Sequence, residues 1–169
     1  MRVTVRPMTH NDLDSVVALE AGSQPRPWTL EVFQSELEGL RRAYLVAEDV
    51  GLVGFGGVMV VDRDAHITNL LVEPIARTSG IGTQLMVGLI RAGIELGAVN
   101  LTLEVRTRNE AARRLYSHFE LAPVGVRKGY YGDDDALIMW AHDIDSPGYR
   151  SHLEQLASQS AEHKTQSAS

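Results

Sequence analysis

The stretch H-I-T-N-L-L-V-E-P-I-A-R-T-S-G-I-G-T-Q-L, from His66 to Leu85, decides how this chain folds. Ile67 to Val72 is apolar and β-branched enough for a buried strand, Pro74 ends it, and helical spacing starts near Gly80. Gly80 and Gly82 remove side chains at the first helical turn, so a ligand can approach the backbone where N–H groups lack intrahelical partners. Such a helix start favours an anion, most often a phosphate. Two glycines at a strand-to-helix junction can equally make a plain turn. The loop is no Gly-Lys-Ser/Thr triphosphate cradle and no G-x-G-x-x-G dinucleotide fingerprint.

What stands there instead, Arg77-x-x-Gly80-x-Gly82, resembles the Q/R-x-x-G-x-G/A pyrophosphate loop of the GNAT acyltransferases, which binds acetyl-CoA. The resemblance implies an α/β fold with a central mixed sheet, a V-shaped opening and flanking helices.

Outward from this stretch, 169 residues suit one domain with a continuous core. No cysteine means no disulfide, no thiolate metal site and no cysteine nucleophile. The six histidines show no short ligand spacing, so no metal is expected. No apolar run reaches the length of a membrane helix and Met1 to Val5 lacks a signal-peptide core, which reads as cytoplasmic. A net charge of −6 argues against nucleic-acid binding and suits a basic or amino-bearing substrate.

Towards the N-terminus, Arg2 to Arg6 alternates as a short strand, and Thr9-x-x-Asp12 resembles a capping box for a helix carrying Leu13, Val16, Val17 and Glu20. Thr29 suits an N-cap, with Trp28 before it stapling onto Phe33 in a second helix; Trp28 could also meet substrate. Tyr44 to Glu48 and Leu52 to Val61 read as a hairpin feeding the Ala65 to Val72 strand. Glycines 54, 56 and 57 within it signal close packing or ligand approach.

Beyond the loop comes a helix ending near Gly97, then a strand from Val99 to Val105 with Leu101, Leu103 and Val105 on one face and Thr102, Glu104 and Arg106 on the other. Asn109 caps a further helix with Tyr116, and strands at Val124 to Lys128 and Ala136 to His142 enclose a loop with Tyr130, Tyr131 and three aspartates. The order β-α-α-β-β-β-α-β-α-β-β needs a mixed sheet, parallel around the strand–helix–strand unit. We read residues 1–145 as the domain and 146–169 as a tail, in which Tyr149 to Leu156 can form a short docking helix and the last dozen residues stay disordered.

The residues themselves suggest acid–base chemistry. An α-amine, with a reference pKa near 8, needs a base before it attacks a thioester. Glu104, if partly buried near Tyr130 and Tyr131, could have a raised pKa and serve directly or through water; it could also simply pair with Arg106, Arg108 or Lys128. Tyr116 could protonate a leaving thiolate or be a packed core tyrosine.

The string L-E-V-R at 103–106, Asn109, Ala112, Leu115-Tyr116, G-V-R-K-G-Y-Y at 125–131, D-A-L-I-M at 135–139, Pro27-Trp28 and A-H-I-T-N-L-L-V resemble the RimI family over roughly residues 1–143. That family acetylates the N-terminal alanine of small-subunit ribosomal protein eighteen. The resemblance implies Glu104 as proton acceptor and Tyr116 as proton donor. It implies acetyl-CoA contacts from Leu70, Leu71 and Val72 beside the pantetheine arm, from Arg77, Thr78, Ser79, Gly80, Ile81, Gly82 and Thr83 at the pyrophosphate, and from Asn109. Trp28, Tyr130 and Tyr131 would wall the acceptor groove. Other acceptors of the same fold are lysine side chains and small amines. A non-catalytic partner of the tRNA threonylcarbamoyl-adenosine machinery is a further reading, and a monomer or weak dimer is expected. The chain departs from the family at Thr78, Ser79 and Gly129, and at Glu120, which replaces a glycine expected to end a helix left-handed.

Overall fold

The computed structural model describes residues 2–77 and 79–167, with side chains through residue 161. Seven strands form one sheet in the order β1-β2-β3-β4-β5-β7-β6. They are β1 (Thr4–Pro7), β2 (Arg42–Glu48), β3 (Leu52–Val61), β4 (Asp64–Val72), β5 (Asn100–Arg106), β6 (Ala122–Arg127) and β7 (Ala136–Ala141). The helices are α1 (Leu13–Ser23), α2 (Leu30–Glu38), α3 (Ile81–Glu95), α4 (Glu110–Ser117) and α5 (Pro147–Ser167). Every neighbouring pair is antiparallel except β4–β5, the pair that α3 connects.

That parallel pair is short. Its register covers Asp64↔Asn100, Ala65↔Leu101 and His66↔Thr102, while β4 continues to Val72 and β5 to Arg106. Beyond the third rung the strands splay, and the expected V opens between them. On its other edge β4 pairs with β3 along its whole length, interrupted by one bulge at Thr68, since Gly57 faces Asn69 and Val58 faces Ile67.

The two faces of the sheet bury different clusters. One holds Ile67, Leu89, Ile90, Leu101, Leu103, Val105, Tyr116 and Phe119 under α3, α4 and α5. The other gathers Leu13, Val16, Phe33, Tyr44, Phe55 and Leu71 under α1 and α2, where Phe33 meets Phe55 edge-on at 5.6 Å. The strand glycines serve this packing: a Cβ on Gly57 would overlap the Tyr44 ring and Thr68 Oγ1. Trp28 does staple onto Phe33, with centroids 5.4 Å apart, and Thr29 Oγ1 accepts from Val32 N at 3.3 Å. Asp12 accepts from Thr9 N at 2.8 Å, the reciprocal half of the expected capping box.

Two local expectations change or sharpen. The final helix runs from Pro147 to Ser167, past the expected end at Leu156 and into the stretch expected to be disordered. Tyr149, Leu153 and Leu156 are buried along it, and Tyr149 Oη donates to Phe119 O at 2.7 Å, so tertiary burial docks the segment from Tyr149 to Leu156. Glu120 takes a left-handed φ of 64°, the strained turn anticipated where a glycine was missing.

Candidate active site

A cleft of about 1070 Å³ occupies the splay and reaches from Trp28 to the start of α3. The sequence-predicted residues that line it are Trp28, Leu70, Leu71, Val72, Arg77, Gly80, Gly82, Thr83, Glu104, Asn109, Tyr116, Tyr130 and Tyr131. Two are placed differently. Ile81 is 1% exposed with its side chain in the core, leaving only its backbone for a ligand, and Ser79 Oγ donates to Ala76 O at 2.5 Å. Thr78 lies outside the described residues.

At the cofactor end, Gly80 caps α3 in the left-handed conformation, φ 81°, which glycine adopts without a Cβ penalty. Gln84 N bonds back to Gly80 O at 3.1 Å, so the N–H groups of residues 81 to 83 precede the first closed turn and remain available to an anion. Arg77 Nε donates to Val72 O at 3.1 Å, which ties the guanidinium to the end of β4. Asn109 Oδ1 accepts from Ala112 N at 3.1 Å, so this residue is a helix cap and a cleft residue at once. Asn69 also lines the cleft, and its buried Oδ1 has no partner among the described residues, so a bound N–H donor would satisfy it. A helix start free of side chains, an extended strand and an orphan acceptor together fit a pantetheine and its pyrophosphate.

The catalytic candidates enter from opposite faces. Glu104 shares the face of Thr102 and Arg106, whereas Tyr116 belongs to the cluster under α3 and α4. Glu104 does not pair with Arg106, Arg108 or Lys128: its Oε2 lies 2.6 Å from His66 Nε2. Arg106 instead reaches Asp133 at 2.7 Å, and Arg108 lies 3.7 Å from Asp134.

The expected raised pKa of Glu104 is also corrected. The hydrogen bond from His66 outweighs desolvation and holds the carboxyl below its ordinary range, with Arg127 adding a smaller attraction. Burial pushes the Tyr116 hydroxyl well above the ordinary phenol, so it stays protonated, and no described residue hydrogen-bonds it. Burial likewise pushes Tyr131 up to about 12.

Tyr130 and Tyr131 meet edge-on at 5.0 Å, with the Arg106 guanidinium 4.4 Å from the Tyr131 ring centre and that of Arg127 5.6 Å from the Tyr130 ring centre. The aspartates that looked irregular in sequence fold this loop. Asp134 accepts from Thr107 Oγ1 at 2.6 Å, Asp135 from Gly129 N at 2.8 Å, and Gly129 is left-handed at φ 64°. At the other end of the cleft, Glu20 is 4% exposed and accepts from Trp28 N at 3.3 Å. His66, Asn69 and Glu20 were not identified as site residues from sequence. The usable signal was parity, because His66 and Glu104 occupy the polar phase of adjoining strands. Among the described residues no group of His, Asp or Glu is gathered for a metal, and no helix is long and apolar enough to cross a membrane.

The splayed parallel pair with a glycine-started helix at its mouth has its counterpart in known proteins. Residues 13–120 match the acetyltransferase (GNAT) family, and the chain belongs to that family. It is an acetyl-CoA-dependent N-acetyltransferase of RimI-like sequence. A Bacillus subtilis (strain 168) protein provisionally named ribosomal protein bS18-alanine N-acetyltransferase is 41% identical over 143 residues, which span 82% of this chain and 95% of that one. The N-alpha-acetyltransferase RimI of Mycobacterium tuberculosis is 32% identical over 141 residues, 76% of this chain and 84% of that one. The crystal structure of the Escherichia coli ribosomal-protein-S18-alanine N-acetyltransferase superposes with a TM-score of 0.75 at 28% identity, covering 84% of this chain and 94% of that one.

Proposed function

We propose that this enzyme acetylates the α-amine of a protein N-terminus, specifically the alanine that begins ribosomal protein bS18, by direct attack in a ternary complex. The observation that carries the reading is a single cleft into which an ionised carboxylate and a protonated phenol open from opposite faces of the sheet. The relatives named above support the acceptor.

Leu70, Leu71 and Val72 would flank the pantetheine arm, with one backbone N–H polarising the thioester carbonyl, while the N–H groups of residues 79 to 83, Arg77 and Asn109 would hold the phosphate end. The backbone N–H of Thr78 is proposed for the same phosphate end. The co-substrate supplies the acetyl thioester. Trp28, Tyr130 and Tyr131 wall the acceptor side.

About a tenth of a free α-amine is already neutral at pH 7, so the lone pair is available without a strong base. As the C–N bond forms, nitrogen becomes acidic enough for a carboxylate of lowered pKa, and Glu104 takes its proton directly or through water. Tyr116 gives its O–H proton to sulfur as the C–S bond breaks, and the proton held by Glu104 returns to the phenolate through solvent. The sum is one amide and one thiol. With no cysteine in the chain, no cysteinyl acyl-enzyme competes with direct transfer.

The test is an acetyl transfer assay with mass-spectrometric localisation, on a peptide carrying the start of the organism's own bS18. Peptides beginning with Ala, Ser or Met, free lysine and spermidine serve as rival acceptors. The expected product is acetyl on the α-amine of the alanine peptide, formed about a hundredfold or more slowly by Glu104→Gln. Preferential acetylation of lysine or spermidine would overturn the acceptor, and unchanged turnover in Glu104→Gln would overturn the base.

A further inference from the structure

The last rung of the parallel pair, His66↔Thr102, stands at the apex of the splay. Glu104 lies two residues further along β5, on the face it shares with Thr102, and His66 is on the alternate phase of β4 from buried Ala65 and Ile67. The His66–Glu104 contact at 2.6 Å therefore spans the two strands just where their backbone pairing stops. His66 is 32% and Glu104 17% exposed at the side chain. The other groups acting on Glu104 are Arg127 from β6 and Tyr131 from the β6–β7 loop; Arg106, next along β5 on that face, is engaged with Asp133 and the Tyr131 ring.

We propose that His66 is the positioning residue of the base: its Nε2–H donates to Glu104 Oε2, fixes the carboxylate at the apex of the cleft, and leaves Oε1 for the acceptor amine. This rests on the reading of Glu104 as proton acceptor. A purely structural role fits the site less well. The backbone ladder of β3 and β4 and the apolar cluster beneath β4 and β5 already hold this corner, and a part-exposed side-chain hydrogen bond adds little to them. A carboxylate about to receive a proton, in contrast, gains from a fixed direction. Free rotation about its side-chain torsions would place the accepting oxygen on the amine only part of the time.

The experiment compares wild type with His66→Ala, His66→Gln and Glu104→Gln, measuring kcat, both KM values and the pH dependence of kcat. Removing a side chain that orients a reacting group is expected to cost His66→Ala about ten- to a hundredfold in kcat, with the acetyl-CoA KM within about twofold. Its acid limb should move to higher pH, because Glu104 keeps its desolvation but loses its hydrogen bond. The amide of His66→Gln can still donate, so its kcat should recover most of that loss. Wild-type kcat with an unmoved acid limb in His66→Ala, beside an inactive Glu104→Gln, would overturn this inference and spare Glu104 as the base. Full activity of Glu104→Gln would remove the underlying reading instead. Equal loss in His66→Ala and His66→Gln would overturn positioning by a hydrogen bond. A carbon-13 titration of the Glu104 carboxyl in wild type needs no variant to fold. A midpoint below the ordinary glutamate range is expected, and one at or above it would overturn the proposal.

Discussion

The two edges of β4 behave differently. Against β3 it is paired from Asp64 to Val72, closed by close-packed glycines and by Leu89, whose Cδ1 lies against the backbone of Gly56. Against β5 it holds three rungs and then lets go. The same strand is thus a structural member on one side and the wall of a cleft on the other. Polar groups divide accordingly: Asp12, in the Arg6–Asp12–Glu48 network at β1 and β2, is fully engaged, whereas Glu104 hydrogen-bonds the His66 side chain and faces the cleft. Substitutions near the closed edge should register as stability, and those at the open edge as turnover.

The largest effect belongs to the closed edge. Leu89→Ala removes a fully buried side chain and should lower unfolding free energy by about 3 kcal/mol in urea titration, with acetyl-CoA affinity per folded molecule nearly unchanged. Next comes Tyr116→Phe, which keeps the buried ring and deletes only the hydroxyl. Its kcat should fall about tenfold to a hundredfold in steady-state assays while its melting temperature hardly moves. Equal turnover would break the division, since Tyr116 would then be a core residue that happens to border the cleft.

Gly80→Ala sharpens the contrast at the mouth. Space exists there, with Ser160 Cβ at 3.6 Å from an added Cβ, so the penalty is the left-handed φ of 81°. That costs about 1–2 kcal/mol and should appear mainly as a several-fold rise in the acetyl-CoA KM, because a relaxed loop misaims its N–H groups. The smallest effect is on acid stability. Arg6 holds Asp12 at about 2, below its ordinary 3.8, so the stabilisation is complete above pH 4 and is lost as pH falls through 2. Arg6→Ala should therefore raise the acid-unfolding midpoint and cost about 1 kcal/mol at neutral pH, discounted because Arg6 is one-third exposed. Circular dichroism against pH measures it, and an unchanged midpoint would mean that the ion pair adds nothing to stability.

Much of this arrangement was legible beforehand for local reasons. Alternation placed Glu104 opposite Leu103 and Val105, the Thr29 cap and Trp28 staple marked the start of α2, and the Gly80 loop marked the start of α3. Each of these signals involves residues within a few positions of one another. The partner of Glu104 was not legible, because the candidates visible by proximity were the arginines and lysine on its own side of the chain. The bond actually formed joins residues 38 positions apart, through a register that depends on where β4 and β5 stop pairing. The direction of the Glu104 pKa followed the same error: burial alone raises a carboxyl, and only the unseen donor reverses it.

By itself, then, the sequence determined the elements, their order, the glycine-started helix and the face on which Glu104 stands, since periodicity, capping and turn chemistry are written between near neighbours. Only the tertiary structure decided the point at which two parallel strands part, the pairing of His66 with Glu104 and the Tyr149–Phe119 bond that docks α5. Those depend on burial and register between distant segments, which no local pattern carries.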